Sequence, residues 1–143
     1  MDGPINGIYQ RVIETAAPAA GAESITTVPA GKYWRITTFI ATLTADATVA
    51  SRAPVLVIDD GANILYRVNP GGTITASSAV ALLVAVIGST QSSIAGVQLS
   101  TPLLPDPTFF VLQPGWRIRT LTTAIVAGDQ WGEARLIVQE FAG

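Results

Sequence analysis

The sequence predicts an all-β protein, an antiparallel β-sandwich of jelly-roll type with about eight to ten strands. Three observations predict it. Short runs of Val, Ile, Leu, Thr and aromatic residues alternate with turn signals at Pro29-Ala30-Gly31, Asp60-Gly61-Ala62-Asn63, Asn69-Pro70-Gly71-Gly72, Pro114-Gly115 and Ala127-Gly128-Asp129-Gln130. No segment sustains the apolar period of a helix. A strand signature also occurs twice, each time behind a Pro/Gly turn: Trp34-Arg35-Ile36-Thr37-Thr38-Phe39 parallels Trp116-Arg117-Ile118-Arg119-Thr120-Leu121. Up-and-down barrels and immunoglobulin-like sandwiches fit a similar strand count, but the Cys-Trp-Cys pattern of true immunoglobulin domains is missing.

Ile8 to Glu14 has strand character and stands apart from the rest. Thr15 to Ala22 is rich in Ala, but Pro18 and Gly21 oppose a helix, so it reads as a linker or draped arm. Residues 1–22 are therefore expected to be an N-terminal arm, and residues 23–143 a single sandwich domain. Glu23 to Val28 is a short strand before the Pro29 turn. The long strand that follows changes phase. Trp34 and Ile36 share one parity, whereas Phe39, Ala41 and Leu43 lie on the other. A β-bulge near Thr37-Thr38 would restore one apolar face. The second copy changes phase alike, from Trp116 and Ile118 to Leu121 and Ile125, which predicts a matching bend there.

Pro54 to Asp59 and Ile64 to Val68 are strands flanking an Asp-Gly hairpin turn. Thr73 to Ile87 is a long strand whose Ala79–Ile87 run is apolar throughout, the mark of burial on both faces. Ile94 to Leu99 is a weak strand. Thr101 to Thr108 carries Pro102, Pro105 and Pro107 and is irregular, because proline cannot donate to a ladder. Phe109 to Leu112 is short. Glu133 to Phe141 closes the chain, alternating Ala134, Leu136 and Val138 against Glu133, Arg135 and Gln139.

A chain of 143 residues fits one domain and buries enough surface to need no covalent staple. Charged residues are only 13%, against about 25% in typical domains. So bland a surface suits either a Thr/Ser-rich β-domain or one partly covered by another protein. The net charge is −2 and no basic stripe occurs, which disfavours nucleic acid. The longest apolar run is too short to span a bilayer as a helix, so no membrane partner is expected.

Chemistry is sparse. With no histidine and no cysteine, Ser-His-Asp and Cys-His sites cannot be built, nor can thiolate metal sites. Asp46, Asp59, Asp60, Asp106, Asp129, Glu133 and Glu140 could in principle supply a two-carboxylate glycosidase. Most sit beside Gly, Ala or Pro, where acids form turns. Asp59, Asp60 and Asn63 offer oxygen ligands for calcium, but Asp-Gly is also what a hairpin requires. No phosphate-binding glycine loop is present. No catalytic residue, cofactor or metal is expected, and the chain reads as no enzyme. Trp34 and Trp116 read as core or rim packing, and Arg35 and Arg117 as solvent-facing or paired across a subunit boundary.

The stretches PAGKYWRITTFIATLT, LVIDDG, LLPDPTFFVLQPGWRIRTLTT and AGDQW resemble small jelly-roll proteins of tailed bacteriophages, the head decoration (cement), head-fibre or tail-associated proteins. The resemblance covers about Val28 to Phe141. It implies a homotrimer on the outer capsid surface of the virion, clamping neighbouring copies of the major capsid protein. The candidate partner-binding residues are Ile5, Ile8, Tyr9 and Arg11 in the arm, with Arg35 and Arg117 on the two long strands. A glycan- or receptor-binding module is the alternative, and it would expose Trp131, Tyr66 or Tyr33 on a rim. A hydrolase would need two acids converging in a cleft.

Overall fold

The computed structural model describes residues 8–69, 71–85 and 110–143. The expected strand at Ile94–Leu99, the proline-rich stretch at Thr101–Thr108, Pro70 and Ile5 lie outside the described residues. Nine strands are present among the described residues: β1 (Ile8–Thr15), β2 (Ile25–Thr27), β3 (Lys32–Thr44), β4 (Ala53–Asp59), β5 (Ile64–Val68), β6 (Ala79–Ala85), β7 (Arg117–Thr123), β8 (Gln130–Trp131) and β9 (Ala134–Ala142). They form two antiparallel sheets, β1-β9-β3-β6 with β8 attached to β3, and β2-β7-β4-β5.

The order of pairing defines the topology. β1 pairs β9, β2 pairs β7, β3 pairs β6 and β4 pairs β5, all antiparallel. These are the nested rungs of one long folded ribbon. Two further ladders, β3 with β9 and β4 with β7, roll the ribbon onto itself and close each sheet. That is the jelly roll, an arrangement that leaves few free edges.

Phase decides which side of each strand enters the core. In β3 the register against β9 shifts between Ile36 and Thr38. Trp34 and Ile36 are buried before the shift, and Phe39, Ala41 and Leu43 after it. Thr37 is the extra residue, and its hydroxyl donates to the Ile137 carbonyl at 3.0 Å. The expected bulge is therefore present. The matching bend in β7 is not. β7 pairs β4 without a break from Thr123 to Arg117. Thr120 and Thr122, rather than Leu121, continue the inward face of Ile118. Glu23 makes this tolerable. Its carboxylate accepts the Thr120 hydroxyl at 2.6 Å, and the Thr122 amide at 2.5 Å and hydroxyl at 3.1 Å. A buried hydroxyl with a partner costs little, so β7 needs no bulge.

A second phase change occurs at Gly132-Glu133. Trp131 pairs Leu43 and Arg135 pairs Ile40. Three residues (132–134) thus face two (41–42), which brings Trp131 and Leu136 onto the same buried face.

Both sheets supply the core: Trp34, Phe39, Leu43, Leu82, Trp131 and Leu136 from one, Leu56, Ile58 and Ile118 from the other. The two Pro/Gly turns lie side by side at one end. Lys32 N–H donates to Pro29 O and Trp116 N–H to Gln113 O, with Gly31 and Gly115 at positive φ. Gly115 N–H reaches Val28 O, and Val28 N–H reaches Trp116 O. The Asp60–Asn63 hairpin forms as expected, with Asp60 N–H on Asn63 O and Gly61 at positive φ. The expected Thr73–Ile87 strand is shorter, beginning at Ala79. Its start crosses between sheets, with Ile74 bridging Arg52.

Ile8–Thr15 differs from the isolated arm expected of it. It lies along β9 over its whole length, from Ile8 opposite Phe141 to Thr15 opposite Ala134. Thr15 also meets Thr26 of the other sheet, hydroxyl to hydroxyl, at 2.6 Å. The following linker is pinned to the 127–130 turn. Gly21 N–H donates to Asp129 O, and the Gln130 side-chain amide donates to Pro18 O.

Nothing lies within 4 Å of where a Cβ on Gly115 would be, so backbone strain alone opposes an alanine there. Gly115→Ala is expected to cost about 1–2 kcal/mol in urea unfolding, with no change in the folded spectrum. Deleting Thr37 slips Phe39, Ala41 and Leu43 to the outer face of β3. The expected result is a chain that shows no cooperative thermal transition by circular dichroism.

Candidate functional site

Four charged residues, Arg52, Asp59, Asp129 and Glu140, are buried. Arg52 is 0% exposed and sits between the β3–β4 and β7–β8 connections. Its Nε donates to Asp129 Oδ2 and its Nη2 to Asp129 Oδ1, both at 2.9 Å. Nη2 also reaches Asp46 Oδ1 at 2.9 Å, and Nη1 reaches Ala50 O at 3.1 Å. Asp129 further accepts the amides of Asp46 and Val126. Burial pushes the Asp129 carboxyl up, but Arg52 and these two amides outweigh it and hold the group below its usual range. The Asp129 hydrogen bond likewise raises the Arg52 guanidinium above its usual value.

Glu140 forms a second inward cluster. It accepts the Trp34 indole N–H at 2.8 Å and Arg11 Nη1 at 2.9 Å, with Lys32 Nζ 3.9 Å away. Burial opposes ionisation of Glu140, yet the indole and the Arg11 cation bring its carboxyl below the usual glutamate range. Asp59 forms a third cluster. Arg117 Nε lies 2.7 Å from one of its oxygens and Arg119 Nε 2.5 Å from the other. Against the burial of Asp59, these two arginines and the Gly61 amide lower its carboxyl to about 2.

These contacts show where Asp46, Asp59, Asp60, Asp129 and Glu140 point; Asp106 lies outside the described residues. Asp46 and Asp129 do converge, but on one shared guanidinium, and Asp129 is fully buried. Asp59 faces Arg117 and Arg119, while Asp60 accepts the Ala62 and Asn63 amides of its own turn. The sugar-platform alternative loses its leading residue. Trp131 is 0% exposed and donates its indole N–H to Thr122 at 3.3 Å. Tyr66 packs beside Phe110, and Tyr33 stacks on Phe141 with ring centroids 5.6 Å apart.

The candidate partner-binding residues do not form one patch. Ile8, Tyr9 and Arg11 lie on β1, and Tyr9 is exposed. Arg11 is engaged by Glu140 of its own chain. Arg35 lies on β3, two strands away, with its guanidinium 5.3 Å over the Phe141 ring. Arg117 belongs to the opposite sheet and pairs with Asp59.

The broad surface lies elsewhere, on the outer face of the larger sheet. Register puts Gln10, Val12 and Glu14 of β1 beside Gln139, Ile137 and Arg135 of β9, which in turn lie beside Arg35, Thr38 and Ile40 of β3. Thr42 and Ala81 continue this face across β3 and β6. Val12 is 62% exposed and Ile40 37%. The row through Val12, Ile137 and Thr38 carries no charge, and in the next row Glu14 and Arg135 pair at 3.3 Å. Alternation along β9 made Ile137 findable from sequence. The bulge expected in β3 turns Thr38 and Ile40 outward once Phe39, Ala41 and Leu43 face the core.

No known protein family and no curated relative match the chain. Among solved structures it is similar to a chain of the Nora virus structure, at 15% identity, over 100% of this chain and 63% of that one, with a TM-score of 0.32. It is also similar to a chain of infectious bursal disease virus, Gx strain, at 11% identity, over 93% of this chain and 42% of that one, with a TM-score of 0.28. The chain thus spans less than two thirds of the length of either.

Removing the cation from the first cluster leaves a buried carboxylate. Arg52→Met is expected to cost about 3–5 kcal/mol in urea unfolding. Adding Asp129→Asn to it should recover part of that loss, because no buried charge is then left unpaired, although the single amide oxygen can accept only one of the Asp46 and Val126 N–H groups. Asp59 links stability to pH. Its folded carboxyl lies below the unfolded value of 3.8, so its stabilisation is full above about pH 4 and is lost as pH falls through about 2. Asp59→Asn is expected to be about 2 kcal/mol less stable than the native chain at pH 7, with the gap closing below pH 3.

Proposed function

We propose that the chain is a structural virion protein that decorates and stabilises a tailed-phage capsid by binding the major capsid protein on its outer surface. The observation that carries this reading is the outer face of the β1-β9-β3-β6 sheet. It is broad, and its central row runs Val12, Ile137, Thr38 without charge. A soluble surface normally intersperses charges of both signs. Here the charges of the face, Glu14, Arg135 and Arg35, lie in the rows on either side of that central row, while Arg52, Asp129, Glu140 and Asp59 are held in interior clusters. Covering the central row buries no charge, and the Glu14–Arg135 charges beside it already neutralise each other.

Attachment to a lattice supports the same economy of contact. Many modest interfaces repeated over a shell give strong retention through effective concentration, without any deep pocket. A rigid body closed by two rolled ladders presents the same face at each lattice position. The role needs no catalytic group, in keeping with acids that serve as internal fasteners.

Co-sedimentation with shells assembled from the major capsid protein of the same genome tests this. The native protein is expected to pellet with shells. Ile40→Glu places a charge at an exposed position of the face and should abolish binding while leaving thermal unfolding unchanged. Native protein that stays in the supernatant, or an Ile40→Glu variant that binds as well as native, rejects the reading.

A further inference from the structure

Sheet edges are normally blunted against pairing with other chains, and two of the edges here are. β2 is only three residues long. β5 is bulged where Ile58 and Asp59 meet it. β1 has neither protection. It runs for eight residues, pairs β9 in unbroken register, and contains no Pro, Gly or Lys. Its surroundings are open: Tyr9, Gln10, Arg11, Val12 and Glu14 are all exposed. Beyond the β9 ladder, no backbone partner of β1 occurs among the described residues.

We propose that β1 is the self-association edge of this protein, pairing antiparallel with β1 of a second copy so that the two larger sheets become one. The argument is geometric. Two antiparallel strands related by a two-fold axis keep the same face of each sheet on the same side, so the axis must pass through a residue. Centring on Arg11 sets Arg11 against Arg11, a like-charge pair. Centring on Ile13 leaves only Arg11–Thr15 overlapped. Centring on Val12 overlaps Tyr9–Thr15 in full. It then sets Val12 against Val12 and Gln10 against Glu14 twice on the outer face, with Arg11 against Ile13 and Tyr9 against Thr15 on the inner face. No like charges meet. Centring on Gln10 overlaps only Ile8–Val12, so the Val12 register has the longest overlap without a like-charge pair, and backbone hydrogen bonds supply the attraction.

The pairing is independent of the virion role and differs from the trimer that the phage resemblance implies. It predicts a two-fold dimer, concentration-dependent because one strand pair is a small interface.

Sedimentation equilibrium on the full chain reads it directly. The native protein is expected to follow a monomer–dimer equilibrium in the micromolar range. Val12→Lys sets two lysines across the axis at an exposed position and should leave a folded monomer. Gln10→Lys faces Glu14 twice and should tighten the dimer roughly ten-fold, whereas Gln10→Glu should loosen it by a similar factor. Circular dichroism melts keep folding separate from association for each variant. A native monomer at high micromolar concentration overturns the proposal. So does a trimer, or a dimer indifferent to all three substitutions.

Discussion

The rolled ribbon depends on one extra residue in β3. Among the described residues, that strand alone in its sheet pairs three others, β9, β6 and β8. Its first half must present Trp34 and Ile36 to the core, and its second half Phe39, Ala41 and Leu43. A strand alternates strictly, so both halves cannot face inward unless the count slips by one. Thr37 provides the slip and ties itself to Ile137 O. Without it, either half of the apolar set would be turned to solvent. The β8–β9 side makes the complementary adjustment at Gly132-Glu133, which keeps Trp131 and Leu136 inside. The two irregularities belong to one constraint: a long strand shared between partners must be buried along its whole length on one side.

The buried charges follow from the same geometry. Where the ribbon rolls, loops from opposite ends of the chain are brought together without regular hydrogen-bond partners. Arg52 answers this by joining the 46–52 connection to Asp129, whose carboxylate also accepts two loop amides. Glu23 does the same at the β7 edge, standing in where β2 has ended. Glu140 fastens β1 through Arg11 and receives the Trp34 indole. Each acid satisfies donors that the sheets leave over.

The strands and turns were legible because they rest on local chemistry. Pro-Ala-Gly, Asp-Gly and Pro-Gly specify turns by backbone preference, and Thr37 was marked by a parity conflict within six residues. What sequence could not reveal is long-range. β7 shows the same parity conflict as β3, yet it keeps its register, because Glu23, about a hundred residues away in sequence, supplies acceptors for Thr120 and Thr122. Threonine has two readings, surface or satisfied interior, and only the partner decides between them. β1 looked detached for a like reason. Its inward residues are Tyr9, Arg11, Ile13 and Thr15, too polar to read as a core face until Glu140 and Thr26 are set opposite them. The candidate contact residues scattered for a like cause: Arg11 and Arg117 found carboxylates of their own chain, and Arg35 lies over the Phe141 ring.

That outcome changes what a contact surface should look like in such a protein. Arginine is favoured at interfaces because its guanidinium binds in a planar, two-pronged way. Here Arg11, Arg52, Arg117 and Arg119 are held by internal acids, so that advantage goes to folding. On the proposed reading, what remains for a partner is backbone along β1 and a face whose central row is Val12, Ile137 and Thr38, flanked by Glu14, Arg135 and Arg35. Both are weakly selective one contact at a time, since neither offers a unique charge pattern. Selectivity must then come from shape and repetition: a fixed strand register on one side, and many identical copies on the other. A rigid jelly roll suits that demand, because its rolled ladders hold the edge and the face in constant relation from one copy to the next.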